Sequence, residues 1–370
     1  MYHYLKLFSI ILPLAILFCS CEKTIDFNSD QVKPKIVVNA LLTQGTKVSV
    51  SITKSKSLLS DKDYFEVLAN AKADLYVNDE FVETLEFESR ADTLEKHYHY
   101  GAITKTPVDK GVYTSETEVE AGKTYRLEVA CDGMDNVSCE TTVPMPVEII
   151  SVDTVTVVAD ENEYYGKYLA YRLKFKDPED MSNYYRFQMD YTRGTVLTRY
   201  ADEQYVNTDT VVLYESYYYG YQLDDPIFEN SENEANDIVM GTPENQYAIF
   251  TDKKINGKEY TLSSQLFNYS NSYSEEQAPG NFMTYRLTLY SINKDYFDYL
   301  NTVNYQSWYS DDYFSEPVPV YSNVEGGLGI WSSAGISQYN LTEGDYPVSG
   351  KIYISQEDLN QNWGGYGYNY

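Results

Sequence analysis

The chain has 370 residues, of which 28 are Lys or Arg and 56 are Asp or Glu, so its formal net charge at pH 7 is −28. Nucleic-acid binding depends on cationic patches that release counterions from phosphate, and no cluster of Lys or Arg supplies one here. The composition therefore excludes a nucleic-acid-binding protein. The length exceeds what one hydrophobic core usually covers, so we expect two domains.

Residues 1–21 have the pattern of a signal peptide that ends at a lipidated cysteine. Lys6 supplies a positive charge, an apolar run follows it, and Ser20 precedes Cys21 as a small residue does at a cleavage point. The run is too short for a membrane-spanning helix, which needs about 20 apolar residues. We therefore predict lipidation at Cys21, with ordinary secretion as the alternative.

Residues 22–31 are predicted to be a polar tether, and residues 32–145 the first domain. Short runs that alternate apolar and polar residues follow one another there, separated by turn residues such as Asn78 and Asp79. No helical period interrupts these runs. The spacing is typical of an antiparallel β-sandwich of the immunoglobulin or fibronectin type.

Two cysteines, Cys131 and Cys139, remain after the predicted lipidation site, and both lie in a predicted β-hairpin. Period-two alternation places them on one apolar face, and pairing them would set Val129 opposite Thr141 around an Asp-Gly turn. We expect a disulfide in this register, which would stabilise the fold by about 2–3 kcal/mol. Two buried free thiols are the alternative, because free cysteine packs as a small hydrophobe.

Residues 146–359 are predicted to form a second, Tyr-rich β domain, and residues 360–370 a flexible tail. One helical pattern interrupts the strands, beginning at the N-cap residue Asn293 and continuing to Asn304. We predict about three helical turns packed on a sheet. The expected fold class is therefore mostly β: an immunoglobulin- or fibronectin-like β-sandwich followed by a second β-rich domain with one short helix.

The sequence offers few groups for catalysis. His97 and His99 are the only histidines after the signal peptide, and no Gly-x-Ser-x-Gly motif supplies a nucleophile. On a strand they would share a face, where a solvated pair is favoured over a metal site. Asp224 and Asp225 would suit glycoside hydrolysis, but so acidic a chain contains such pairs by chance. Residues 224–237 lack the spacing of a calcium-binding loop. We expect no catalytic residue, metal or cofactor.

Tyrosine is in excess, with 40 residues, of which 8 precede Pro146 and 32 follow it. The densest group is Tyr217, Tyr218, Tyr219 and Tyr221. Strand propensity is one explanation, because Tyr fits a half-buried pleated face. Consecutive strand residues project to both faces, however, so these four cannot all belong to a core. We predict that they bind a ligand or partner, as tyrosines do on many recognition surfaces.

Four stretches carry a family resemblance: Cys21-Glu-Lys with residues 35–39, residues 71–78, residues 122–144, and residues 315–331, which end in Glu-Gly-Gly-Leu-Gly-Ile-Trp. In them the chain resembles the Bacteroidota lipoproteins grouped as domain of unknown function 4249, over nearly all the mature sequence. The resemblance implies an outer-membrane lipoprotein at the cell surface, often associated with TonB-dependent transporters. It implies no catalytic residue.

Together these features predict a non-enzymatic lipoprotein, held in the outer membrane by its lipid anchor and facing the exterior. Its expected role is to assist a TonB-dependent transporter or to capture a glycan or peptide ligand for it. A structural or adhesive envelope protein is a second hypothesis, and a glycan-acting hydrolase is a third. A transporter gene beside this one would favour the first hypothesis, and activity on a glycan panel would favour the third.

Overall fold

The structure, a computed structural model, describes residues 33–57, 64–97, 103–158, 167–179, 181–201, 204–216, 221–222, 225–229, 243–266, 281–309, 318–343 and 350–354. The predicted signal peptide, tether and tail lie outside these residues. The chain divides into two compact units, Met1–Pro34 with Lys56–Asp63, and Lys35–Ser55 with Tyr64–Tyr370. The strands and the helix given below belong to the second unit.

The fold is mostly β, which confirms the predicted class. The first strands are β1 (Ile36–Thr43), β2 (Lys47–Lys54), β3 (Glu66–Val67), β4 (Lys72–Val77), β5 (Glu80–Thr84), β6 (Glu86–Glu88), β7 (Ala91–His97), β8 (Ile103–Asp109), β9 (Val112–Glu118), β10 (Thr124–Ala130) and β11 (Val137–Thr142). The later strands are β12 (Ile149–Val158), β13 (Lys167–Lys176), β14 (Tyr184–Ala201), β15 (Gln204–Ser216), β16 (Tyr221–Gln222), β17 (Ile249–Thr251), β18 (Glu259–Leu266), β19 (Asn281–Ile292), β20 (Leu328–Glu343) and β21 (Gly350–Ile354).

One long sheet runs through the fold in the order β21-β15-β14-β19-β20-β1-β2-β9-β6, with β17 added beside β14 and β3 beside β2. β1 runs parallel to β20, and β15 runs parallel to β21, whereas the other neighbours are antiparallel. Two smaller sheets have the orders β11-β10-β4-β5 and β12-β13-β18-β16, and β7 pairs with β8. The first strand of the chain is therefore joined to one of the last.

Both smaller sheets pack on the same face of the long sheet. Ile330 and Trp331 are consecutive on β20 and so project to opposite faces. Trp331 joins the core of the sheet β11-β10-β4-β5, whereas Ile330 packs against the helix. Likewise, Leu289 belongs to the core under the sheet β12-β13-β18-β16, and its neighbour Tyr290 faces the helix. The result is a sandwich on one face and a helical layer on the other.

Helix α1 (Lys294–Tyr309) begins where the sequence predicts and ends later than predicted. The Asn293 side-chain oxygen accepts a hydrogen bond from the Tyr296 amide at 3.3 Å, which satisfies one free donor of the first turn. Phe297 and Leu300 are buried against the long sheet. The residues after Asn304 are mostly polar or exposed, so the apolar period that marks the helix fades before the helix ends. Among the described residues, no helix is long and apolar enough to span a membrane.

Buried residues before and after the predicted domain boundary belong to different hydrophobic cores. One core collects buried residues between Ile36 and Val143, together with Val324 and Trp331. A second core begins at Val147, and a third lies between the long sheet and helix α1. The long sheet nevertheless contains strands from both sides of this boundary. The division into two domains therefore stays a prediction.

Glycine is required where β20 begins. Gly329 has φ +102°, a conformation that side chains other than glycine rarely adopt, and a Cβ there would overlap the Val38 carbonyl oxygen of β1. This close approach allows β20 to pair with β1. Gly326, in the turn before β20, also has a positive φ, +77°.

Candidate binding cleft

Strands β4 and β10 present polar side chains on the face turned away from the long sheet. Asp74 and Tyr76 alternate along β4 with buried residues, and Arg126 and Glu128 do so along β10. The strand register sets Tyr76 opposite Arg126 and Asp74 opposite Glu128. Because cross-strand neighbours lie close together, these four side chains form one continuous polar surface.

Aromatic and charged groups form a row on this surface. The Phe81 and Tyr76 rings meet edge-on with centroids 5.6 Å apart, and the Arg126 guanidinium lies 3.9 Å from the centroid of Tyr76. Arg126 pairs with the Glu128 carboxylate, which also accepts a hydrogen bond from the Tyr76 hydroxyl at 3.2 Å. Desolvation and then the Glu128 charge raise the pKa of Tyr76. The arginine is thus held between a ring and a carboxylate.

Lys72 and Asp74 form a second pair beside this row. The Lys72 amine donates to Asp74 Oδ2, and the Thr84 hydroxyl donates to Asp74 Oδ1 at 2.6 Å. Burial acts to raise the pKa of Asp74, but the hydrogen bonds from Lys72 and Thr84 outweigh it and leave that pKa below its usual value. The hydrogen bond to Asp74 raises the pKa of Lys72. Both groups are therefore charged at neutral pH.

An open cleft of about 510 Å³ lies at the end of this surface, where residues 325 and 326 pass the edge strand β11. Small residues in its lining, Ala130 and Ser138 among them, leave the space free. The charged residues of the lining are Lys72, Asp74, Glu128 and Glu325. The volume falls within the range of small-molecule and short-peptide sites.

Backbone hydrogen bonds fix the wall of the cleft. The Glu325 amide donates to the Ser138 carbonyl at 2.8 Å, and the Ser138 amide donates to the Glu325 carbonyl at 3.2 Å. Behind the wall, the Asn323 side chain bonds both the amide and the carbonyl of Trp331, at 2.9 and 2.8 Å. The Trp331 indole donates to the Tyr125 carbonyl at 2.9 Å. Hydrogen bonds within the protein therefore hold this wall of the cleft in place.

A family model described as a domain of unknown function, DUF4249, matches residues 22–340. The chain belongs to the DUF4249 family. This confirms the resemblance at the level of the family, whose description assigns no function. The match begins directly after Cys21 and includes every strand that lines the cleft. No curated protein matches this DUF4249 chain.

Of the four tyrosines predicted to bind a ligand or partner, only Tyr221 is among the described residues. Tyr217, Tyr218 and Tyr219 lie outside the described residues. Tyr221 begins β16, where it pairs with Leu266 of β18. The binding role of these tyrosines stays a prediction, as does the lipidation of Cys21, which also lies outside the described residues.

The predicted register of the cysteine hairpin is wrong. Cys139 lies opposite Leu127, and Val129 lies opposite Val137, so the pairing is shifted by four residues from the predicted one. Cys131 follows the end of β10, four residues beyond Leu127, which is roughly 13 Å along a strand. A disulfide requires Cα atoms within about 7 Å, and both cysteines are free thiols in this DUF4249 structure. The structure thus corrects the predicted disulfide to the alternative of free thiols.

We expect the two thiols to differ in reactivity. Cys139 is 3% exposed, and burial raises the pKa of its thiol, whereas Cys131 is partly exposed. Because the thiolate is the reactive form, iodoacetamide should modify Cys131 in the native protein roughly tenfold or more faster than Cys139. Peptide mapping by mass spectrometry measures both, and unfolding without reductant should expose both. Detection of a Cys131–Cys139 cross-linked peptide would contradict the free thiols and support the predicted disulfide.

The buried carboxylates of the second core hold loops in place. Asp225 accepts hydrogen bonds from the Ile227 and Ser263 amides, at 3.0 and 2.8 Å, and from the Tyr260 hydroxyl. Asp177 accepts from the Tyr185 hydroxyl at 2.5 Å, and burial raises the pKa of Asp177. Both carboxylates are thus engaged within the protein. The described residues contain no group of three or more His, Cys, Asp or Glu side chains that could hold a metal ion.

Sequence reasoning missed the residues of the cleft. Period-two alternation does place Asp74 and Glu128 on outward faces, so the exposure of these two side chains could be predicted from the sequence. It does not show that β4 pairs with β10, or that Glu325 lies against Ser138. His97, considered as a metal ligand, ends β7, and His99 lies outside the described residues.

Proposed function

We propose that this DUF4249 protein is a non-enzymatic lipoprotein, anchored in the outer membrane through Cys21 and facing the exterior. In this role it assists a TonB-dependent transporter by capturing a ligand in the cleft beside Glu325. The observation that carries the capture role is the cleft itself: it is open to solvent, lined by charged and polar side chains, and held by backbone hydrogen bonds. Preformed concave sites with a few fixed polar groups are the usual form of ligand-binding sites.

The anchor is supported by the sequence. The apolar run after Lys6 ends in Ser20 and Cys21, the arrangement of a lipoprotein cleavage site. The family match begins at residue 22, so the leader stands apart from the region shared with the family. The association with a transporter rests on the family resemblance.

Co-purification from native membranes tests this proposal. Tagged full-length protein should label with a fatty-acid analogue, fractionate with the outer membrane and bring a TonB-dependent transporter with it. Cys21→Ser should lose the label and leave the outer-membrane fraction, because it lacks the lipid chain that supplies the apolar contact with the membrane. The transporter should then be lost as well.

Cys131→Ser is the matched control, since it removes a partly exposed thiol outside the leader. It should keep the label, the membrane fraction and the transporter. A labelled, membrane-bound wild type that brings no such transporter would contradict the accessory role. Label that persists in Cys21→Ser would contradict the anchor.

A further inference from the structure

The residues that line the cleft limit which classes of ligand it can bind. None of the described residues that line the cleft is aromatic, so it offers no ring on which a sugar face could pack. Three of its four charged residues are acidic, and the whole chain carries a net charge of −28, so an anion would be repelled. A ligand with a positive charge fits best.

One carboxylate of the lining is paired with no Lys or Arg among the described residues. Asp74 is paired with Lys72, and Glu128 is paired with Arg126. No lysine or arginine within the part of the chain that the structure describes pairs with Glu325, whose side chain is exposed. With Arg126 counted, which pairs with Glu128 from outside the lining, the three carboxylates exceed the cations by one.

The position of Glu325 is set by the backbone. Its amide and carbonyl both bond to Ser138, and the next residue, Gly326, has φ +77° in the turn before β20. The carboxylate is therefore attached to a fixed wall. Ser138 and Asn136, which lie beside Glu325 and Gly326, add a hydroxyl and an amide as neutral hydrogen-bonding groups.

We propose that the cleft binds an alkylammonium group, as carried by lysine side chains of a peptide or by a polyamine. This names the ligand class for the capture role proposed above and rests on it. An ammonium group has three donors and no acceptor, so it matches a site whose free groups are carboxylate, hydroxyl and amide oxygens. Glu325 supplies the unpaired charge, and Asp74 and Glu128 add to the negative potential.

Calorimetric titration of full-length protein in detergent with trilysine, spermidine and triglutamate tests the inference. Trilysine, spermidine or both should bind, and triglutamate should not. Binding of trilysine alone would identify a peptide source, and binding of spermidine alone a polyamine source. Raising NaCl from about 50 to 500 mM should weaken binding, because salt screens exposed charges.

Two variants locate the site. Glu325→Gln keeps the shape and should weaken binding about fivefold, the upper range for one exposed ion pair. Ala130→Leu leaves the charge unchanged and places a larger side chain in the cleft, so it should weaken binding by more. Glu244→Gln is the matched control, because Glu244 is also exposed but does not line the cleft. It should bind like the wild type.

The inference is overturned if neither trilysine nor spermidine binds. It is also overturned if Glu244→Gln weakens binding as much as Glu325→Gln, since the general acidity of the surface would then explain the result. Thermal melting confirms that each variant is folded. Co-purification of the transporter does not depend on these titrations, so the two proposals fail separately.

Discussion

Replacing Trp331 by alanine is expected to lower the free energy of unfolding by about 3–5 kcal/mol. Trp331 is fully buried in the first core, and its indole N–H bonds the Tyr125 carbonyl at 2.9 Å. The change leaves a cavity that the surrounding strands cannot fill and removes the donor to a buried carbonyl. Urea unfolding followed by far-ultraviolet circular dichroism measures the loss without relying on tryptophan fluorescence.

Trp308→Ala is the control for the size of the side chain. Trp308 is 46% exposed near the end of helix α1, so its removal should change stability by about 0.5 kcal/mol or less. Similar losses in both variants, or a loss below about 1 kcal/mol for Trp331→Ala, would show that the junction of β20 with β10 contributes little.

Replacing Gly329 by alanine is expected to cost about 3 kcal/mol. The residue has φ +102°, and the new Cβ would overlap the Val38 carbonyl oxygen. Left-handed backbone costs a residue with a Cβ about 1–2 kcal/mol, and overpacking adds about 1–3 kcal/mol. Because Gly329 pairs with Val38, the added group should also weaken the contact between β20 and β1. The same urea titration measures the effect.

Gly45→Ala separates the two causes. Gly45 also has a positive φ, +79°, but a Cβ there would meet nothing within 4 Å. It should therefore cost only the backbone strain, about 1–2 kcal/mol. If Gly329→Ala and Gly45→Ala lower the free energy of unfolding by the same amount, the overlap with Val38 contributes nothing. The requirement for glycine at position 329 would then come from its positive φ alone.

Local features of this fold are predictable from the sequence. Period-two runs mark β4, β10 and β11, and the cap at Asn293 marks the start of helix α1. These signals depend on residues close together in the chain. Such local signals can therefore be recognised in a single sequence, without knowing which distant segments pack together.

The hairpin register shows where such reasoning fails. Moving the partner of Cys139 from Cys131 to Leu127 is a shift of four residues, and an even shift leaves every side chain on the same face. Periodicity therefore cannot detect the error. The prediction assumed a tight turn at Asp132 and Gly133, whereas the strands are separated by residues 131–136.

The cleft was unpredictable for the same reason on a larger scale. Its lining comes from β4, β10, the start of β11 and the turn before β20. Outward-facing polar residues can be assigned on each strand, but which strands adjoin is decided by packing of the whole core. Only the paired strands show that Glu325 and Glu128 belong to one site.

The parallel pairing of β1 with β20 has a consequence for how the protein reaches its native state. β1 begins at Ile36 and β20 at Leu328, so one edge of β1 lacks its neighbour until nearly all of the chain has left the ribosome. Contacts between such distant segments close slowly, and an unpaired edge invites association with other chains. The long sheet is therefore completed late in folding. If the leader directs export as proposed, completion follows export rather than synthesis. A truncated chain that ends before Leu328 would keep an unpaired, aggregation-prone edge on β1.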